Sequence, residues 1–398
     1  ISLMKIKINI RTIRFFIILF PFIFPLGMAS IDGMTGIVQF LAVSRYVISI
    51  AVILYACQKK YRRFLLKPYI YLFIFAILFQ IIALNKNQTI TLTVALSCFS
   101  FIGFVLLNII LCKKNGNLLF YVYRNYLTLV LTSHVMMKLF HLSLNGVVDS
   151  NAVYLMGAKN GITPYVLLAF LSEVILLKDK KSIKLIPYTI FLTLVSIINA
   201  SAAGIGAMIL IDGYLAVVYL SDKIENVGKR IQKIYIITAA LFVIVFFYFE
   251  VIGYRGTDSL TNIMTSLVGR DATFTGRRAI WSAALMYIRA NPLWGLGLNV
   301  QYDVWNNNKY VYSAHNMFLD YAVKYGCISL ALMIGSVVSI LRRSIANRDY
   351  SSIRISTIAT IGMLFASFFE AIEGIYATWA VIFLTCIVID MYIEKQRK

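Results

Sequence analysis

Arginine gathers in one polar stretch of an otherwise apolar chain. Residues 251–315 carry Arg255, Arg270, Arg277, Arg278 and Arg289 with Lys309, against Asp258, Asp271 and Asp303. A guanidinium grips phosphate through paired N–H donors and keeps its charge at any working pH. An arginine-biased set therefore points to a phosphate or pyrophosphate site. The pair Arg277-Arg278 opens a helical pattern, and the free N–H groups and partial positive charge of a helix start add to the same anion site. For the single arginines, snorkelling toward lipid headgroups is the plainer alternative and needs no site. At the far end of the stretch stands His315, in Tyr312-Ser313-Ala314-His315-Asn316. An ordinary imidazole titrates near about 6.5, which suits a general base at neutral pH. Asn316 and Asp320 follow closely enough to orient it or a substrate.

Other groups are weaker candidates. His134 falls inside an apolar run, where a satisfied interhelical hydrogen bond is the expected role, and His141 lies at the end of the same run. Glu250, Glu370 and Glu373 sit near run ends. They either act in a site or simply pair with the loop arginines. Asp212 lies in mid-run, where an ionisable group is a functional candidate by default. No HExxH, Cys/His cluster, Asp-x-Asp or phosphate-cradling Gly-Lys-Ser/Thr loop occurs. That pattern speaks for no metal and no cofactor, and against a nucleotide-sugar donor held through a metal.

The elements that must position these groups are set by composition. Of 398 residues, 60% are hydrophobic and 14% charged, too little polar surface for a water-soluble globule. Apolar runs of about 18 or more residues match a hydrocarbon core of roughly 30 Å and must be helical there. The fold class expected is all-α: a polytopic integral membrane protein of about twelve transmembrane helices with one large external loop containing short helices. The spans fall near 13–29, 35–57, 65–84, 89–112, 118–138, 162–177, 185–200, 203–220, 234–250, 316–340, 354–371 and 375–392. The first reads as a retained span. Residues 1–250 thus hold spans one to nine, 251–315 the large loop, and 316–398 spans ten to twelve with a tail. Net charge is +21, and most of the surplus sits in short loops. Placing the N-terminus in the cytoplasm puts those basic loops inside and both termini with them. That distribution argues against a nucleic-acid partner. The five cysteines lie in or beside apolar runs and read as small core residues. Within the large loop, Arg278–Ala290 has helical spacing, with Ile280, Ala283, Ala284, Tyr287 and Ile288 on one face. Asn291-Pro292 stops it, and Gly295-Leu296-Gly297 provides a turn where backbone can approach a ligand closely.

Taken in order, Thr275-Gly276-Arg277, Trp281, Asn291-Pro292, Gly295-Leu296-Gly297, His315-Asn316-Met317-Phe318-Leu319 and Tyr325-Gly326 resemble a known pattern. It is that of the O-antigen polymerase and O-antigen ligase superfamily of bacterial envelope glycosyltransferases. The likeness spans roughly residues 270–335. It implies metal-independent, inverting transfer of a glycan from undecaprenyl pyrophosphate at the periplasmic face of the inner membrane. The implied roles place the leaving pyrophosphate on Arg277 and activation of the acceptor hydroxyl on His315. Arg278, Arg270 and Arg255 support the pyrophosphate, Asn316 and Asp320 position, and Trp281 and Trp305 either stack on sugars or fill the loop's own core. Implied partners are the lipid-linked oligosaccharide, membrane lipid and a chain-length regulator. Ligases of this group commonly carry a second arginine in a Ser-Arg turn. The comparable turn here, Asn199-Ala200-Ser201-Ala202-Ala203, has none. The expectation is therefore an O-antigen or capsular polysaccharide polymerase. A ligase using a lipid A-core acceptor and a flippase without chemistry are the alternatives.

Overall fold

The computed structural model describes residues 10–31, 33–87, 89–147, 152–157, 161–177, 184–221, 225–247, 277–305, 309–347 and 351–396. Thirteen helices run through them: α1 Ile10–Ile23, α2 Thr35–Ala56, α3 Lys59–Leu65, α4 Pro68–Lys86, α5 Leu92–Leu139, α6 Thr163–Leu177, α7 Ile186–Ile198, α8 Ala202–Ser221, α9 Glu225–Phe247, α10 Arg277–Ala290, α11 Met317–Ala346, α12 Ser351–Phe369 and α13 Tyr376–Gln396. Six of them are long and apolar enough to cross a membrane: α2, α4, α5, α8, α11 and α12. Shorter apolar helices accompany them. The chain is thus an all-α multi-pass membrane protein, with one small addition. Tyr302–Trp305 (β1) and Lys309–Val311 (β2) pair antiparallel as a two-stranded ribbon in the large loop.

At 48 residues, α5 covers two of the expected spans. It is broken at Asn115, whose φ −162° and ψ 86° are not helical. The Tyr123 hydroxyl donates to Asn108 Oδ1 at 2.7 Å. In a straight helix those residues would lie about 22 Å apart at 1.5 Å per residue. The two halves therefore fold back on each other as a hairpin, and Asn115 Oδ1 accepts from Leu118 N to start the second half.

A second break lies in α11. Within α11, Gly326 has φ 83° and ψ 165°, which would strain any residue with a Cβ. The break removes the helical bond from Cys327 N to Val323 O. The loop after α10 replaces both halves of it: Cys327 N donates to Pro292 O at 2.7 Å, and Leu296 N donates to Val323 O at 2.7 Å. Gly297 N donates to Lys324 O at 3.0 Å. A Cβ on Gly295 would lie 2.6 Å from Val323 O, and one on Gly326 2.0 Å from Leu293 O. The close backbone approach expected at Gly295-Leu296-Gly297 is thus to α11. Trp294 stacks on Phe79 of α4 with 5.5 Å between ring centroids, and Lys86 Nζ lies 4.7 Å from the Trp294 ring centroid. The turn is wedged between two helices.

Candidate functional site

The apolar face of α10 makes a small core of its own. Ile280, Trp281, Ala283 and Ala284 pack with Val300, Tyr302, Ala314, Leu319 and Val323. Burying this face ties α10 to the start of α11. It fixes Arg277, the first residue of α10, against the segment that carries His315. Trp281 is buried, and its indole N–H donates to Ala314 O at 2.9 Å. Its ring is held in the loop's own core, the second of the two roles expected for it, and is not presented to a ligand.

The segment 314–320 is held from both sides. Asn316 caps α11, its Oδ1 accepting from Phe318 N at 3.0 Å and Leu319 N at 3.1 Å. Asp320 is fully buried and accepts from Ala314 N at 2.9 Å and from the Tyr302 hydroxyl at 3.3 Å. Both residues therefore fix backbone. Between these anchors His315 takes φ 47°, the left-handed region, with its N–H on Ser313 Oγ at 3.1 Å. A non-glycine residue is held there only when its surroundings over-determine it, and such strain gathers at functional sites.

Glu370, in the loop between α12 and α13, joins the two ends. Arg277 Nη2 donates to Glu370 Oε1 at 2.7 Å, and both side chains are buried. His315 Nδ1 lies 3.8 Å from Glu370 Oε2, with the imidazole 40% exposed. Arginine and histidine, 38 positions apart in sequence, thus meet on the two oxygens of one carboxylate. Three positions on, Glu373 Oε1 lies 3.6 Å from Lys324 Nζ, and Lys324 also pairs with Asp320. The Glu373 carboxyl is pushed up to about 7, first by burial and then by the Asp320 charge, with Lys324 pulling the other way.

The remaining candidates separate cleanly. Arg278 is the second residue of α10, with its side chain outside the described set. Arg255, Arg270 and Glu250 lie outside the described residues, as does the Trp305 side chain. His134 is fully buried: its Nδ1 accepts from Met156 N at 3.0 Å and its Nε2 bonds Asn199 Oδ1 at 3.1 Å. This is the satisfied interhelical role. His141 sits exposed at the end of α5. Asp212 accepts from Thr193 Oγ1 at 2.8 Å, and Glu173 pairs with Arg124 at 2.9 Å. The turn 199–203 is tied to the start of α6, with Ser201 Oγ 3.2 Å from Thr163 Oγ1. Lys324 escaped sequence reasoning, because only the fold shows that it lies between two carboxylates. Glu370 was visible as a partner for the arginines but not as a bridge to His315.

Residues 187–334 match the family model described as O-Antigen ligase. The match runs from α7 through the break in α11, and so includes Arg277 and His315 but not Glu370. It is consistent with the O-antigen polymerase and ligase superfamily, and extends the sequence resemblance N-terminally from residue 270 to residue 187. No curated protein matches the chain significantly.

Proposed function

We propose that this protein, whose residues 187–334 match the family model described as O-Antigen ligase, is a polysaccharide repeat-unit polymerase of the bacterial inner membrane. It transfers a growing O-antigen or capsular glycan from undecaprenyl pyrophosphate onto the non-reducing end of a fresh lipid-linked repeat unit. The observation that carries the reading is the placing of Arg277 and His315 on one carboxylate, at 2.7 and 3.8 Å. In the reaction an acceptor hydroxyl oxygen attacks the anomeric carbon of the donor glycan. The bond from that carbon to the pyrophosphate oxygen breaks, and the pyrophosphate leaves with the electron pair. Attack from the face opposite the leaving group inverts the carbon, and no metal is required for either step. Arg277 meets the charge that grows on the leaving group, which a fixed guanidinium stabilises more in the transition state than in the ground state. A guanidinium has five donors, so phosphoryl oxygens can join Glu370 on it. His315, the exposed member of the cluster, takes the hydroxyl proton. Glu370 holds the arginine and faces the imidazolium that results. Arg278, Arg270 and Arg255 would extend the pyrophosphate site. The positive-inside distribution supports cytoplasmic termini with this site on the periplasmic face.

A ligase with a lipid A-core acceptor is the second reading, favoured by the description of the matching family. The turn 199–203, which lacks the arginine usual in ligases, favours the polymerase. A deletion strain decides between them. Loss of a polymerase leaves single repeat units on lipid A-core, whereas loss of a ligase leaves none attached.

A further inference from the structure

Helix α2 carries an arginine that the chemistry at Glu370 does not use. Arg45 is the eleventh of the 22 residues of α2, so its Cα lies about 16 Å from either helix end, near the middle of a hydrocarbon core of roughly 30 Å. Three other helix arginines each face a carboxylate: Arg124 with Glu173, Arg277 with Glu370, and Arg343 with Asp390. Among the described residues no carboxylate pairs with Arg45. Its Nε is buried without a hydrogen-bond acceptor, and its guanidinium carbon lies 5.6 Å from the centroid of the Tyr376 ring. The side chain is only half-buried, which leaves part of it open to an anion.

The setting is polar and aromatic. The Tyr376 hydroxyl bonds Ser100 Oγ, its ring stacks on Phe101 at 4.5 Å, and the Tyr46 hydroxyl bonds Ser97 Oγ at 2.9 Å. Tyr376 is the first residue of α13. The start of α13 therefore lies within side-chain reach of the middle of α2. An unpaired guanidinium at that depth is costly, and a phosphate is the anion its donors fit best.

From these positions we infer that Arg45, with Tyr376 beside it, binds the phosphate of a membrane-anchored lipid between α2 and α13. Resting on the polymerase reading, the lipid is the acceptor. Both substrates of a polymerase carry a polyprenyl pyrophosphate, and only the donor's is consumed at Arg277. The acceptor's must be held elsewhere, about one repeat unit from the attacking hydroxyl. The loop from Glu370 to Tyr376 links the two positions directly.

The test uses the purified full-length protein in detergent. Affinities are measured for undecaprenyl phosphate, undecaprenol and phosphatidylglycerol, for wild type, for Arg45→Gln, Arg45→Lys and Arg277→Gln, and for each Arg45 change added to Arg277→Gln. Arg45→Gln keeps the length of the side chain, and Arg45→Lys keeps the charge should the neutral variant fail to fold. Arg277→Gln, which silences the donor site, is the reference: adding Arg45→Gln to it is expected to weaken binding of undecaprenyl phosphate at least tenfold, with a smaller loss for added Arg45→Lys and no change for undecaprenol. A loss confined to undecaprenyl phosphate identifies the polyprenyl carrier. An equal loss for phosphatidylglycerol keeps the lipid-phosphate site and assigns it to phospholipid. Unchanged binding of both phosphate lipids on adding Arg45→Gln or Arg45→Lys to that reference would overturn the site. Polymer formation in the same preparations keeps the two readings apart. If wild type makes no polymer yet loses lipid-phosphate affinity through Arg45→Gln, the polymerase reading falls and the site stands.

Discussion

At the scale of single residues, the account rests on Arg277, His315 and Glu370. In the proposed reaction Arg277→Ala removes the charge that meets the leaving pyrophosphate, so the turnover of lipid-linked substrate should fall roughly a hundredfold to a thousandfold. Arg277→Lys restores a point charge without the fork geometry and should recover only part of the loss. His315→Ala should cost about 10²- to 10⁴-fold. Both changes are read as glycan length on gels and as rate with purified protein. Glu373 makes a pH prediction. Burial and the Asp320 charge push its folded-state carboxyl up to about 7, against 4.5 ordinarily. The folded protein therefore binds more protons there than the unfolded chain between those values. The associated stability is fully present below about pH 4.5 and is lost as pH rises through about 7. Thermal unfolding in detergent should show this slope, and Glu373→Gln should flatten it. An unchanged slope in the variant would assign the dependence to other groups.

At the scale of elements, the joint between α10 and α11 carries the next prediction. Gly326 breaks α11 at positive φ, and Pro292, Leu296 and Gly297 take over the backbone groups that the break exposes. Gly326→Ala places a methyl 2.0 Å from Leu293 O and adds roughly 1–3 kcal/mol of backbone strain. It should lower the melting temperature and activity together. Gly335→Ala, later in the same helix, meets only Leu72 Cδ1 at 3.4 Å and should leave both nearly unchanged. This joint marks where sequence reasoning stopped. The apolar runs, the amphipathic face of α10 and its stop at Asn291-Pro292 are one-dimensional signals, and the structure follows them. The hairpin at Asn115 was legible because Lys113 and Lys114 mark a loop between two spans. The destination of Gly295-Leu296-Gly297 was not, since a glycine turn shows that something comes close without showing what. The ribbon at 302–311 was likewise hidden, being too short for a period-two pattern to stand out.

At the scale of the whole molecule, two charged clusters occupy opposite ends of the bundle. The Arg277, His315 and Glu370 group sits at the loop end. Asp390 pairs with Lys67 and Arg343 at the other and accepts from the Tyr69 hydroxyl at 2.7 Å. Asp390 thereby ties α13 to α4 and α11. Asp390→Asn should cost roughly 2–3 kcal/mol, below the usual figure for a fully buried pair because Lys67 and Arg343 keep some exposure. It should lower the melting temperature in detergent while leaving the activity of the folded fraction intact, because the cluster is remote from the site. This separation of a structural lock from the candidate site suits the proposed polymerase, which needs a fixed scaffold through the bilayer and chemistry on one face. The most direct measurement is polymerisation by purified protein supplied with undecaprenyl-pyrophosphate-linked repeat units. The account predicts long glycans from wild type, and single unextended units from Arg277→Ala and His315→Ala. A folded wild type that extends nothing, or variants that polymerise like wild type, would contradict it.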